Sequence, residues 1–168
     1  SEAANFQKFF LLEKYDPFEA WGRTEIQEIP SVAVCRMFRT FQGWTALTRQ
    51  GSNDGTLELL PIADAMPWML LRALQDDVPE DELCGAAACR AMVIGKEYHA
   101  LLLHGYGSIP FMQPGDAIFW HPDVLHGVED AHRGTGYSSV MYIAPAPDCA
   151  KNRTYAEIQK AAFETGLS

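Results

Sequence analysis

PGDAIFWHPDVLHGV, residues 114–128, decides how this chain is read. A tight Pro114-Gly115-Asp116 turn leads into an apolar run that ends in two aromatics, Ala117 to Trp120. Two histidines, His121 and His126, follow five residues apart. Histidine is the commonest metal ligand and the side chain most easily recruited for proton transfer near neutral pH. His126 comes after Val124-Leu125 and before Gly127, so little bulk stands beside its ring. One histidine does not make a metal site, and the rest of the chain has to be searched for what completes it.

Upstream, Ser31 to Phe41 alternates with β-branched and aromatic residues, which predicts a strand. GWTAL (Gly43 to Leu47) predicts a second and TLELLP (Thr56 to Pro61) a third, closed by its proline. Between them RQGSNDG is a turn cluster in which Asp54-Gly55 is a hairpin signal. Ala63 to Leu74 changes to a helical pattern, with Met66, Met69, Leu70 and Leu74 as core packing. DDVPEDE (Asp76 to Glu82) reads as a solvated acidic turn capping a short helix. Leu101 to Ile109 fits strand or loop. Ala117 to Trp120, Leu125 to Val128 and Tyr137 to Ile143 read as strands.

At the ends, Phe6, Phe9 and Phe10 have helical spacing within Ser1 to Lys14, and Thr154 to Phe163 predicts a closing helix. There is no internal repeat. The 168 residues fit one domain. It divides into a helical entry (1–30), strands with a helical insertion at about 63–90 (31–147), and a closing helix (148–168). Short strands separated by turn signals favour a mainly β double-stranded β-helix of jelly-roll or cupin-like type with helical additions. The mouth of such a barrel lets a few polar residues converge on a ligand.

Composition narrows the function classes. Hydrophobic residues make up 48% and charged residues 21%, as in ordinary globular domains. A net charge of −9 argues against nucleic acid and against anionic membrane surfaces, both of which call for a basic patch. No apolar run approaches the ~20 residues needed to span a bilayer. Cys35, Cys84, Cys89 and Cys149 form no CxxC pair. With no secretory pattern at the start, reduced thiols and a cytoplasmic location are the default. The chain begins at Ser1 and has no Met before Met37, which predicts a processed product or part of a longer protein.

GWTALTRQGSNDGTLELLP, followed about 60 residues later by PGDAIFWHPDVLHG, resembles the Fe(II)/2-oxoglutarate oxygenases of the phytanoyl-CoA hydroxylase type. CRMFRTFQGW, DDVPEDELCGAA, PGDAIFWHPDVLHGVE and YSSVMYIAPAP resemble the DUF1479 family over nearly the whole chain. The resemblance implies that His126 is the distal ligand of an iron held by two histidines and one carboxylate, which leaves positions open for cosubstrate and O2. It also implies an upstream His-x-Asp. The histidines here are His99, His104, His121, His126 and His132, so none precedes Leu47.

The one His-x-Asp present is His121-Pro122-Asp123, and three ligands from six consecutive residues would require a tight metal-wrapping loop. His121 and Asp123 are better expected to shape the turn or to orient His126. For 2-oxoglutarate, the resemblance places a basic or hydroxyl residue some ten positions after the distal His, near Gly136 to Ser138. Arg133 is the nearest cation, with Tyr137 and Ser138 as hydroxyl partners. Arg36 and Arg39 fall on opposite faces of their expected strand, so at most one points inward. Trp44, Phe119 and Trp120 are expected in the core. His99, His104 and His132 read as structural, and Glu129 and Asp130 as an acidic loop.

Three functions stay open. The first is the distal part of an oxygenase that binds Fe(II) and 2-oxoglutarate and hydroxylates a small organic substrate. The second is a non-catalytic cupin-like binding module without metal, and the third a hydrolytic divalent-metal site at His121, Asp123 and His126. An incomplete barrel would expose sheet edges and favour homo-oligomers.

Overall fold

The turn at Gln113–Asp116 shows how local sequence sets the architecture. Gly115 has φ of +95°, the conformation required at the second central position of a type II turn, and Pro114 suits the first. Asp116 N–H donates to the Gln113 carbonyl at 3.0 Å, while the Asp116 carboxylate accepts from Gln113 N–H at 2.7 Å. The turn then docks on a neighbouring strand: Gly115 N–H donates to the Ala46 carbonyl, and Ala46 N–H to that of Asp116, both at 2.8 Å.

The computed structural model describes residues 16, 24, 37–82, 93–143 and 145–166. The expected entry helix, the short helix after Glu82, and Cys35, Cys84, Cys89 and Arg36 lie outside them. Six strands and three helices are described. They are β1 (Gln42–Ala46), β2 (Leu57–Leu59), α1 (Ala65–Arg72), α2 (Lys96–Leu103), β3 (Gly107–Ser108), β4 (Ala117–Trp120), β5 (His126–Val128), β6 (Val140–Ile143) and α3 (Ala150–Thr165).

The strands form two antiparallel three-stranded sheets, ordered β4-β1-β6 and β3-β2-β5. Apart from β2 and β3, consecutive strands lie in different sheets. The 49–55 turn is therefore no hairpin: β1 and β2 do not pair, and the turn carries the chain from one sheet to the other. Asn53 and Gly55 meet its curvature with φ of +74° and +63°.

Register and burial together define an inner face. Trp44 and Ala46 of β1, Leu57 of β2 and Trp120 of β4 are buried in one cluster with Ile109 and Met112, and Leu59, Ile118 and Val140 pack against it. Residues directly opposite on paired strands share a face. Ile118 and Tyr142, both opposite Trp44, are thus on the inner side. Gly43 faces outward, where Phe119 covers it, and a Cβ there would meet the Ile118 carbonyl at 2.6 Å. Phe119 is consequently 53% exposed, not core as the sequence predicts, whereas Trp44 and Trp120 are buried.

A second cluster of Leu60, Ala65 and Leu125, with Met66, Met69, Leu102 and Tyr106, seats α1 and α2. Met66 and Met69 pack as expected, but Leu70 and Leu74 are exposed. Two further expectations are corrected. Residues 37–41 of the predicted 31–41 strand are not strand, and the 101–109 segment begins as the end of α2 and turns before β3. α3 docks through buried Asn152, which accepts from Phe38 N–H and donates to the Phe38 and Pro147 carbonyls at 2.8–2.9 Å.

Candidate functional site

Strand β4 delivers Trp120 to the inner face, and a proline turn then reverses the chain. Val124 N–H donates to the His121 carbonyl at 2.9 Å, closing a turn with Pro122 at its first central position. Asp123 N–H donates to His121 Nδ1 at 3.2 Å, so that nitrogen is the acceptor and carries no proton. The carboxylate of Asp123 also lies 3.9 Å from His121 Nδ1. An ion pair through that atom would need the proton that the shorter amide contact excludes. His121 and Asp123 thus shape the turn.

The turn in its turn fixes His126. Val124 presents its carbonyl 2.8 Å from His126 Nδ1. A carbonyl only accepts, so Nδ1 is the donor and Nε2 of the neutral ring is left as a lone pair. A ring nitrogen oriented through its neighbour in this way is the usual arrangement in metal-binding histidines. His126 lies opposite Leu59 and Val128 opposite Leu57, which puts both on the inner face. Both are nevertheless exposed, Val128 by 67%, as is Tyr142 on β6 by 81%. The inward side of both strands is open to solvent.

Trp120 walls this opening. Its ring centroid lies 5.4 Å from that of His126, with the planes inclined at 56°. Trp120 Nε1–H is buried and has no hydrogen-bond partner among the described residues. Among the described residues no three His, Cys, Asp or Glu side chains are placed to hold a metal ion, so His121, Asp123 and His126 do not form the compact triad considered from sequence.

The residues expected to meet 2-oxoglutarate lie elsewhere. Leu47 N–H donates to the Ser139 carbonyl at 2.9 Å, and Thr48 Oγ1 to the Tyr137 carbonyl at 2.5 Å, beyond the last residue of β1. Trp120 sits opposite its first residue, Gln42. At ~3.3 Å per residue these ends are roughly 15–20 Å apart. Tyr137 and Ser138 line a cleft of about 360 Å³ together with Arg49, Phe111 and His132. Arg133 is not among its lining residues. Ser138 donates its hydroxyl proton to the Asp54 carbonyl at 2.5 Å, leaving none for a carboxylate.

Glu129, read from sequence as part of an acidic loop, is a clamp. Its carboxylate accepts from Asn53 N–H at 2.9 Å, Gly55 N–H at 3.0 Å, Thr56 N–H at 3.3 Å and the Ser108 hydroxyl. Burial pushes this carboxyl up, but the bonds from Ser108, Asn53, Thr56 and Gly55 outweigh it and hold it below the ordinary range. The clamp ties the end of β5 to the crossover between the sheets. No sequence signal shows it, because the partners are 21 to 76 residues away.

A family profile described as Gig2-like matches residues 6–168. The chain is 46% identical over 159 residues to YbiU of Escherichia coli K12, an uncharacterized protein, covering 94% of this chain and 38% of YbiU. It superposes on a "putative oxidoreductase" of Salmonella typhimurium LT2 with a TM-score of 0.83 at 45% identity, covering 97% of this chain and 41% of that one. Against GlcNAc Inducible Gene 2, GIG2 (DUF1479), of Candida albicans the TM-score is 0.72 at 30% identity, covering 94% and 38%. The chain thus spans about two fifths of the length of these relatives. The DUF1479 resemblance agrees with the Candida structure, and the chain belongs to the Gig2-like family.

Proposed function

We propose that the chain is the distal half of a double-stranded β-helix of the phytanoyl-CoA hydroxylase type. The complete protein would bind Fe(II) and 2-oxoglutarate and hydroxylate a small organic substrate. The observation that carries this reading is His126: an inward-facing imidazole at an open strand, its Nδ1 committed to Val124 and its Nε2 left to a ligand. The alternation of strands between two sheets supports it, as does the likeness to the Salmonella "putative oxidoreductase".

The donor set fits in part. A facial triad needs two histidines and a carboxylate, and the described residues offer His126 without the other two. The remaining ligands must come from outside the described residues, and we assign them to the rest of the complete protein. The orphaned Trp120 N–H fits the same picture, as a donor waiting for an oxygen atom of a bound group. Bound iron would supply O2 activation coupled to oxidative decarboxylation of 2-oxoglutarate. The chain's own contribution is to fix the His126 tautomer through Val124 and to wall the opening with Trp120.

Anaerobic Fe(II) titration of this chain and of His126→Ala, with and without 2-oxoglutarate, tests the reading. The expected result is weak iron binding that requires His126. Equal binding by both proteins would overturn the assignment. In the longer relatives, replacing the histidine aligned with His126 should abolish iron-dependent conversion of 2-oxoglutarate to succinate. Full conversion there would show that this histidine holds no iron, and no conversion by the unaltered relative would favour the metal-free binding module instead.

A further inference from the structure

Strand β5, which carries His126, lacks the usual means of holding itself in place. It is 3 residues long and, among the described residues, pairs on one side alone, with β2. A strand's register is ordinarily set by the face that buries apolar side chains. In β5 that device is missing: His126 and Val128, its inner-face residues, are exposed. Gly127 between them has no side chain to pack, and glycine weakens a strand interior.

The strand is instead stretched between two pins. Upstream, Leu125 is buried with Leu60 and Ala65, and its carbonyl accepts from Leu60 N–H at 2.9 Å. Downstream, Glu129 N–H donates to the Thr56 carbonyl at 2.9 Å. The Glu129 carboxylate there gathers the Asn53, Gly55 and Thr56 amides and the Ser108 hydroxyl. Its partners flank β2 on both sides, since Asn53 to Thr56 lead into that strand and Ser108 lies on β3, the other neighbour of β2. In an antiparallel pair, every second residue exchanges backbone bonds with the partner. Leu125, Gly127 and Glu129 are those residues of β5, so a single pair, Glu58 with Gly127, lies between the pins.

We propose that Glu129 is a positioning residue for His126: its carboxylate holds the downstream end of β5 against β2, and so keeps the imidazole on the inner face beside Trp120. Without the clamp, β5 frays from that end. His126, whose ring centre lies 5.4 Å from that of Trp120, then leaves the indole. The consequence for metal binding rests on the reading of His126 as a ligand, whereas the positioning itself is a property of the metal-free chain.

The test is NMR of the metal-free chain and of its Glu129→Ala and Glu129→Gln variants. In the wild type the Trp120 and His126 rings should give a mutual NOE, and the indole ring current should displace the His126 ring protons from free-histidine values. Glu129→Ala should lose both signatures, while the resonances of Trp44 and Met112 in the core stay at their wild-type positions. A merely structural role would lower stability and leave the His126 signature of the folded molecules unmoved. Glu129→Gln keeps one acceptor oxygen and should give an intermediate NOE, which decides the matter even where the alanine variant does not fold. A wild-type NOE with wild-type His126 shifts in either variant would overturn the proposal. Fe(II) titration of the same proteins separates the two claims. Lost NOEs with undiminished iron binding would leave the positioning intact and overturn His126 as the ligand.

Discussion

Replacing Glu129 by alanine tests whether one carboxylate couples β5 to the crossover between the sheets. The side chain accepts three backbone N–H groups and one hydroxyl. A typical hydrogen bond contributes about 1 kcal/mol net, and more when the acceptor is charged. Two corrections lower the sum. The clamp is only half-buried, so water takes over part of the released bonding. Removing the charge also relieves Glu58, whose carboxyl is pushed up by burial and then by Glu129 and Asp130. About 2 kcal/mol of destabilisation remains, or a Tm fall of roughly 4–8 °C for a chain of this size.

Urea unfolding should show the lower midpoint with an unchanged m-value, and the Asn53, Gly55 and Thr56 amides should exchange faster. Because the folded-state pKa lies below the ordinary value, the stabilisation is complete above the unfolded pKa of about 4.5 and is lost as pH falls through the folded one. Glu129→Gln should therefore flatten the acid limb of the stability curve. A Glu129→Ala protein within about 0.5 kcal/mol of wild type, with those amides still protected, would refute the clamp.

Other positions give sharper contrasts. Gly43→Ala forces a Cβ to 2.6 Å from the Ile118 carbonyl, backbone that cannot swing away; we expect a loss of about 2–3 kcal/mol in urea unfolding. Asn152→Ala removes three bonds that join α3 to Phe38 and Pro147. It should cost about 2–3 kcal/mol and speed exchange at the Phe38 amide. His99 is 3% exposed. Burial pushes its pKa down, the Met69 backbone opposes this and Arg72 adds to it. The neutral form is therefore favoured on folding, and this stability is present above the unfolded value of 6.5 and lost as pH falls through the folded one. His99→Leu should reduce the slope below pH 6.5, which for one proton is at most about 1.4 kcal/mol per pH unit.

The positions of most described strands were legible because strands carry their signal locally. Ala117 to Trp120 matches its strand, and the Pro-Gly turn before it has the backbone its sequence demands. β2 lies within its predicted segment, and β1 is offset by one residue from the predicted Gly43 to Leu47. Helix α2 was not legible: Gly95 precedes it without a side-chain cap, and buried His99 kinks it at φ −126°, which breaks the amphipathic pattern. The predicted strand at Tyr137 loses its first residues to the cleft loop, where Ser138 and Ser139 bond Asp54 and Thr48. His126 stood out as a histidine beside a glycine in an apolar strand. Glu129 did not, because it gains its role from segments far along the chain that only the crossover between the sheets brings near.

The central claim is that His126 Nε2 faces the opening as a metal ligand. Paramagnetic broadening of the histidine ring resonances by substoichiometric Mn(II) tests it most directly, with the exposed His104 and His132 as internal controls. The account predicts that His126 broadens first, that chelation reverses the effect, and that His126→Ala removes it without adding broadening elsewhere. Broadening of His104 or His132 equal to or greater than that of His126 would contradict it.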